Sequence, residues 1–415
     1  MSMHTTMNQS NKATETKPNL VSPQRLFVFG GGLAAILLTV VAINVAGWQQ
    51  GILLWLGLLL GYTLFHARFG FTTGFRQLMS VGNGAAVRAH MIMLAAACTL
   101  FAPILSMGIG FFGTEPQGYV FPVGTSVVVG GFLFGIGMQL GSGCASGTLY
   151  HIGGGRTASF VTLFGFIIGS VLGAWHWAFW VQEMPHFPAV SLATSTGWGY
   201  FGAWIVSLLI FAAITIAVWV IQKKKQPPQL KPVPSASGWK RVVRGSWPLW
   251  VGAIVLAVLN ALTLMFRGHP WGVTSAFALW GSQAAQSIGI DVTDWTYWQG
   301  AKAAQLNQSV FKDSTSVMDF GVILGAFVAS AAAGLFKLPK LGGKVIAASM
   351  VGGILMGYGA RIAFGCNIGA YFGGIASFSL HGYVWMVAAL AGTFLSLSIR
   401  PLFGLSVPKP NDSFC

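Results

Sequence analysis

Charge is what this sequence has least of. Only 7% of its 415 residues are Asp, Glu, Lys or Arg, against about a quarter in soluble proteins, which excludes an ordinary soluble globular domain. Acidic residues are scarcer still. The eight of them, Glu15, Glu115, Glu183, Asp291, Asp294, Asp313, Asp319 and Asp412, fall in tails, loops or at a span edge, so no carboxylate is expected within the membrane. That excludes a cation carrier or a carboxylate proton relay and favours an anion or a neutral sulfur species. Cysteine is equally sparse. Cys98, Cys144, Cys366 and Cys415 form no CxxC pair and no Cys/His cluster of zinc type, and apolar runs surround the first three, so neither a disulfide framework nor a metal or haem site is expected. The opening residues lack the layout of a signal peptide, and alternating barrel strands are absent.

What the sequence has is apolar length. Hydrophobic residues make up 54%, and runs over 26–47, 89–108, 157–181, 200–221, 248–266 and 383–399 are long enough for helical spans of roughly 20 residues. The fold class read from this is an all-α polytopic membrane protein of about ten spans. Its net charge of +15 is spread through short loops rather than one stripe, which argues topology and lipid contact, not nucleic acid. The one dense cluster, from Lys223, reads as a basic cytoplasmic linker over 223–246. It separates a first membrane repeat, 25–222, from a second, 247–402, between a cytoplasmic tail, 1–24, and a C-terminal tail, 403–415. By the lysine and arginine bias, Arg68, Arg76, Arg88, Arg156 and the segment 337–344 face the cytoplasm, while 109–122, 182–197 and 267–317 face outward. Trp48, Trp295 and Trp298 read as an interface belt. His66, His90, His151, His176 and His381 read as interfacial or structural.

The chain also repeats itself. "GFLFGIGMQLGSGCASG" from Gly131 matches "GILMGYGARIAFGCNIG" from Gly353 at a constant offset of 222 residues, pairing Gly143 with Gly365 and Cys144 with Cys366. "FGFTTGF" from Phe69 matches "WGVTSAF" from Trp271, pairing Thr72 with Thr274. The topology runs the two cysteine-bearing spans in opposite directions, so the halves are inverted and pseudo-symmetric. Transporters built this way bind near the midplane, at interrupted helices. "GSGCASG" and "FGCNIG" predict such interruptions: a span ending near residue 141, a break, and a short helix whose N-terminus the cysteine meets. A helix N-terminus favours an anion, and a thiol there suits a soft sulfur atom. Gln139 pairs with Arg361 as a polar position before each cysteine, and a cation in a span marks a pathway. Asn367 and the hydroxyls of Thr72, Thr73, Thr274 and Ser275 complete the candidate lining. Close packing alone would also use small-xxx-small glycines and a buried cysteine.

"GIGMQLGSGCASG", "GYGARIAFGCNIGAYFGGIASFSLHG" and "ARFGFTTGFRQL" resemble the motifs of the YeeE/YedE family of sulfur-compound transporters, over most of residues 50–400. The resemblance implies an hourglass-like bacterial inner-membrane protein without cofactor, with Cys144 and Cys366 at a constriction that thiosulfate passes, and a TusA-like cytoplasmic sulfur carrier as partner. A further family cysteine is replaced by Gly70, and Cys98 lies in a different span. The competing expectations are transport of another sulfur or selenium species, a membrane sulfurtransferase working through a cysteine persulfide, and a non-transporting scaffold.

Overall fold

A computed structural model describes residues 21–141, 143–229, 236–410 and 412. Most of the tail 1–24, the middle of the linker, Ser142 and Cys415 lie outside the described residues. Helix dominates, and among the described residues ten segments are long and apolar enough to cross a membrane. The chain is an all-α polytopic membrane protein, as composition predicts.

Six helices of the first half have counterparts in the second. The first series is α2 (Trp48–Ala67), α3 (Phe71–Val81), α4 (Ala85–Met107), α5 (Thr125–Leu140), α6 (Ala145–Gly153) and α7 (Thr157–Trp175). The second is α10 (Leu249–Arg267), α11 (Thr274–Ser287), α12 (Ser314–Ala332), α13 (Gly343–Ile362), a wide turn of π type over Asn367–Gly373 continued by α14 (Gly374–Ala376), and α15 (Leu380–Ile399). α1 (Arg25–Ala46) packs on α12, and α8 (Gly199–Lys225) packs on α4. Both leave large apolar side chains such as Phe29, Ile36, Phe201 and Leu209 exposed, as helices bathed in lipid do. A short helix in the linker, α9 (Gly238–Arg244), follows α8.

The inversion is visible where α5 meets α13. Gly130 lies against Gly359, and Gly137 lies against Gly352: as one number rises the other falls, so the equivalent helices run antiparallel. Elsewhere the halves interlock through glycine. On the α2–α12 seam a Cβ added at Gly61 would stand 2.0 Å from the Val322 carbonyl, and one at Gly325 would stand 1.9 Å from that of Leu58. Without a hydrophobic drive between helices in lipid, such backbone contact is what holds them.

Each half breaks its helices twice. Between α2 and α3, Arg68 takes the left-handed conformation (φ 49°) and Gly70 is extended. Between α10 and α11, Gly268 is left-handed, Pro270 brings no N–H to continue the helix, and Asn260 Oδ1 accepts the Trp271 N–H at 2.7 Å. The second breaks fall before the cysteines, at 141–144 and 363–366. Two strands, β1 (Pro122–Gly124) and β2 (His186–Ala189), pair antiparallel with Val123 opposite Phe187, next to the start of α5.

Two expectations need correction. Trp298 is no belt residue: it is buried, its Nε1–H bonded to Ser282 Oγ at 3.0 Å. His90, read as interfacial or structural, is the latter, buried among Phe71, Phe75 and Tyr371. Asp319 is the sixth residue of α12 and 0% exposed, so one carboxyl does sit inside a membrane-spanning helix.

Candidate functional site

Two basins are lined by residues of the segments that the cysteines cap. One lies on the face of the long loop between α11 and α12. It encloses about 350 Å³, lined among others by Arg267, Thr274, Ser275, Lys302, Asp313 and Arg361. The other lies on the face of the linker, where His66 Nδ1 meets the Gly245 carbonyl at 2.9 Å. It encloses about 590 Å³, lined by Arg68, Arg76, Arg156 and Arg400 with Tyr150, His151 and Thr73. Taking a water as about 30 Å³, the smaller holds roughly a dozen waters, ample for a small hydrated anion. Three cations against one carboxylate line the loop-side basin, and four arginines the linker-side one.

Each cysteine caps a segment that lines one of the basins: α6, after Cys144, brings Tyr150 and His151 to the linker-side one, and the turn after Cys366 brings Gly369 to the loop-side one. Cys144 is extended (φ −80°, ψ −171°), and its Sγ accepts from the Gly147 N–H at the start of α6, at 3.4 Å, with Ser146 Oγ at 3.5 Å. Cys366 repeats the arrangement, accepting from the Ile368 N–H at 3.4 Å. Both are buried, at 2% and 0% exposure, and the segments they cap touch one another. The break, cap and short helix predicted at Cys144 are present; after Cys366 the helix opens into the wider turn. Gly365 has to be glycine, since its φ is 154° and a Cβ would lie 2.7 Å from the Ala370 nitrogen. A Cβ on Gly143 would meet the Gly147 backbone and His151 Nδ1, each at 3.3 Å. Phe364, just before, is left-handed (φ 59°), a conformation costing about 1–3 kcal/mol. It is held there by stacking on Phe121, with centroids 5.0 Å apart, and by the edge-on Trp177 at 5.5 Å.

Gln139 and Arg361 prove to be structural counterparts. Gln139 Nε2 donates to the Thr72 carbonyl at 3.0 Å, and Arg361 Nη2 donates to the Thr274 carbonyl. Each clasps the start of its half's short helix beside the cysteine break. The clasps differ in charge. Arg361 is itself cationic, 6% exposed, bonded through Nη1 to the Tyr297 hydroxyl, and its guanidinium lies 4.8 Å from that ring. The inner location excludes a side chain merely reaching out to an interface. Gln139 instead receives cations: Arg76 Nη1 donates to its Oε1 at 3.2 Å, and Arg400 Nη1 to its carbonyl. Burial raises the Tyr297 phenol's tendency to keep its proton, but Arg361 and Lys302, whose Nζ sits 3.9 Å from the ring centroid, prevail and hold its pKa below the ordinary tyrosine value.

The remaining candidates divide. Ser275 and Thr274 line the loop-side basin, Ser275 Oγ donating to Thr315 Oγ1 at 2.9 Å. Thr73 lines the linker-side basin, but Thr72 is buried behind it with its hydroxyl unpartnered. Asn367, beside Cys366, is fully buried with neither amide atom bonded, and the Tyr371 hydroxyl is unpartnered too. Native proteins rarely leave such groups unsatisfied without a role. Cys98 stands apart, its thiol 3.6 Å from the Ile375 carbonyl. His151 lines the linker-side basin. Among the described residues, no three His, Cys, Asp or Glu side chains gather to hold a metal.

The family model for sulphur transport matches residues 66–395. The chain is 26% identical over 359 residues to the thiosulfate transporter TsuA of Escherichia coli K12, covering 83% of this chain and 94% of that protein. Its identity to the thiosulfate transporter TsuA of Spirochaeta thermophila is also 26%, over 367 residues, 82% of this chain and 97% of that protein. A 164-residue stretch is 31% identical to the probable transporter YedE of E. coli K12, 39% of this chain and 40% of that protein. With the family's motifs lying on the two cysteine breaks and the match running through both halves, the chain belongs to the sulphur transport (YeeE/YedE) family.

Proposed function

We propose that this protein carries thiosulfate, or a closely related small inorganic sulfur anion, across the bacterial inner membrane through a path constricted at Cys144 and Cys366. What supports this reading is that each cysteine caps a segment lining a cationic basin, Cys366 the turn that brings Gly369 to one and Cys144 the helix that brings Tyr150 and His151 to the other, and that the two capped segments touch. Cations concentrate an anion at each mouth. Backbone N–H groups at the Cys144 and Cys366 caps offer it hydrogen bonds in place of water. The soft sulfurs meet its soft terminal sulfur, while Asn367 offers an amide that the fold leaves unbonded.

By the bias of positive charge, the face with the linker, Arg68 and Arg156 is cytoplasmic and the loop-side basin opens outward. Uptake then runs from Arg361 and Lys302 toward Arg76 and Arg400. A TusA-like carrier would collect the anion at the cytoplasmic mouth. The recorded partners of the two sulfurs are backbone N–H groups and one serine hydroxyl, none of them a base that draws off a thiol proton. Neutral thiols also avoid repelling an anion, so intact passage is favoured over transfer through a persulfide.

The test is uptake of doubly labelled thiosulfate by proteoliposomes holding the wild type, Cys144→Ala, Cys366→Ala and the double variant. Intact labelled anion should accumulate with the wild type and not with the double variant. Undiminished uptake by the double variant, or release of sulfite with a trapped protein persulfide, sinks the proposal.

A further inference from the structure

The buried carboxyl of Asp319 has no place in the path as described. It lies in α12, 0% exposed, and neither oxygen has a hydrogen-bond partner. Such a group is costly to bury and is kept in membrane helices mainly where it works. Its position is informative. Thr315, one helical turn earlier on the same face, lines the loop-side basin and bonds Arg267 Nη2 at 2.6 Å and Ser275 Oγ at 2.9 Å. Asp319 therefore lies about 6 Å deeper along the helix, directly below the basin. The same helix leads on to Leu335, which lines the opposite basin.

The charged groups that bear on the carboxyl are Asp313 and Arg267, both at the basin, and the Cys366 thiol lies within its electrostatic reach. The ionisable side chains of the other packed elements are engaged elsewhere or exposed: Lys312, in the turn before α12, and Lys240 on α9 are exposed, while Arg241 and Arg244 of α9 bond the carbonyls of Ser246 and Val21. On α2, Tyr62 bonds the Val242 carbonyl and His66 meets that of Gly245. On α6, Tyr150 and His151 line the linker-side basin. On α1, the charged residue is Arg25, at its first position. α11 contributes no ionisable side chain.

We propose that Asp319 is the proton-binding site that couples anion movement to proton movement. Resting on the transport reading, this deepens it by naming the co-transported ion. Ionised, the carboxylate repels an anion descending from Thr315 toward Cys366; protonated, it is neutral and presents an O–H donor to the same anion. Proton and anion therefore enter together from the loop-side water. On the linker side the anion leaves, the carboxyl returns its proton to water, and one proton has crossed for each cycle of this group.

The experiment uses proteoliposomes of the full chain loaded with a pH-sensitive dye, with labelled thiosulfate outside. In the wild type, an inward proton gradient should drive accumulation, and thiosulfate added without a gradient should acidify the lumen. Asp319→Asn, which keeps shape and removes the titratable proton, should lose gradient-driven accumulation by tenfold or more at an unchanged Tm in detergent, and whatever uptake is left should no longer acidify the lumen. If the wild type transports thiosulfate with no accompanying proton movement, the coupling is refuted whatever the variant does. Gradient-driven accumulation by Asp319→Asn refutes the assignment to this residue. A wild type that neither accumulates nor exchanges thiosulfate overturns the transport reading itself, and the coupling with it.

Discussion

Arg361→Gln isolates the charge of the loop-side basin from its architecture. Glutamine at this position reproduces the clasp that Gln139 makes on the Thr72 carbonyl at 3.0 Å, so the break before Cys366 should keep its shape while the cation is lost. At about 7 Å from a bound anion, one charge pair is worth about 2.4 kcal/mol with an effective dielectric of about 20. Water in the basin screens the open side, and half of that, about 1.2 kcal/mol per negative charge, is the better figure. A doubly charged anion then loses about 2.4 kcal/mol, roughly a 50-fold rise in KM. Lysine keeps the charge and loses the fork of donors, so Arg361→Lys should stay within about fivefold of wild type. The assay is the initial rate of labelled thiosulfate uptake against concentration in proteoliposomes, at low and high salt, with Tm in detergent as a control for folding. The wild type should lose more affinity on adding salt than Arg361→Gln does. A KM for Arg361→Gln within twofold of wild type, at unchanged Tm, refutes the view that this guanidinium attracts the substrate.

Other outcomes follow from the same geometry. Alkaline absorbance titration should show a tyrosine ionising below the ordinary range, because Arg361 and Lys302 favour the phenolate of Tyr297 over the opposing effect of burial; that fraction should vanish in Tyr297→Phe and move up in Arg361→Gln. Gly61→Ala places a Cβ 2.0 Å from the Val322 carbonyl and should cost about 1–3 kcal/mol by overpacking, read as a lower Tm; an unchanged Tm would mean the α2–α12 seam yields easily. Gly365→Ala should abolish uptake more completely than it lowers Tm, since the Cβ strikes the Ala370 nitrogen and displaces the cap beside Cys366. Gln139→Ala should remove the Oε1 that Arg76 Nη1 bonds at 3.2 Å, leaving Arg76 the longer bond to Thr73 Oγ1 at 3.5 Å, and lower the maximal rate, with a smaller effect on KM measured from the opposite face.

Much of this was legible where the signal is local or repeated. Composition sufficed for the membrane class, and the offset between the two glycine-cysteine motifs located both breaks, because a helix interruption is written in the few residues that make it. The Gln139/Arg361 equivalence was legible for the same reason. The basins were not. Arg68 with Arg76, Arg156, and Arg400 come from three distant parts of the chain, and nothing local distinguishes them from loop residues that obey charge bias. Tyr297 and Lys302 lie in an outer segment whose tryptophans resemble a membrane belt until Trp298 is seen to bond Ser282. Asp319 reads as a span-edge residue in the sequence, but the side chains of Ser314, Thr315 and Ser316 just before it bond within the protein, which carries the helix start inward.

A protein assembled from two inverted copies of one plan has no inherent forward and reverse. If its halves were identical, it would look the same from either side of the bilayer, and only the gradients around it would decide which way cargo flows. The two carbonyl clasps are where the copies have stopped agreeing. On one side the cation is part of the clasp, fixed by the chain; on the other it is lent by Arg76 and Arg400, which can be moved or lost singly. Polarity in this molecule is thus a matter of divergence after duplication, and the double exchange Gln139→Arg with Arg361→Gln is the shortest route by which an engineer, or a lineage, would try to turn it around.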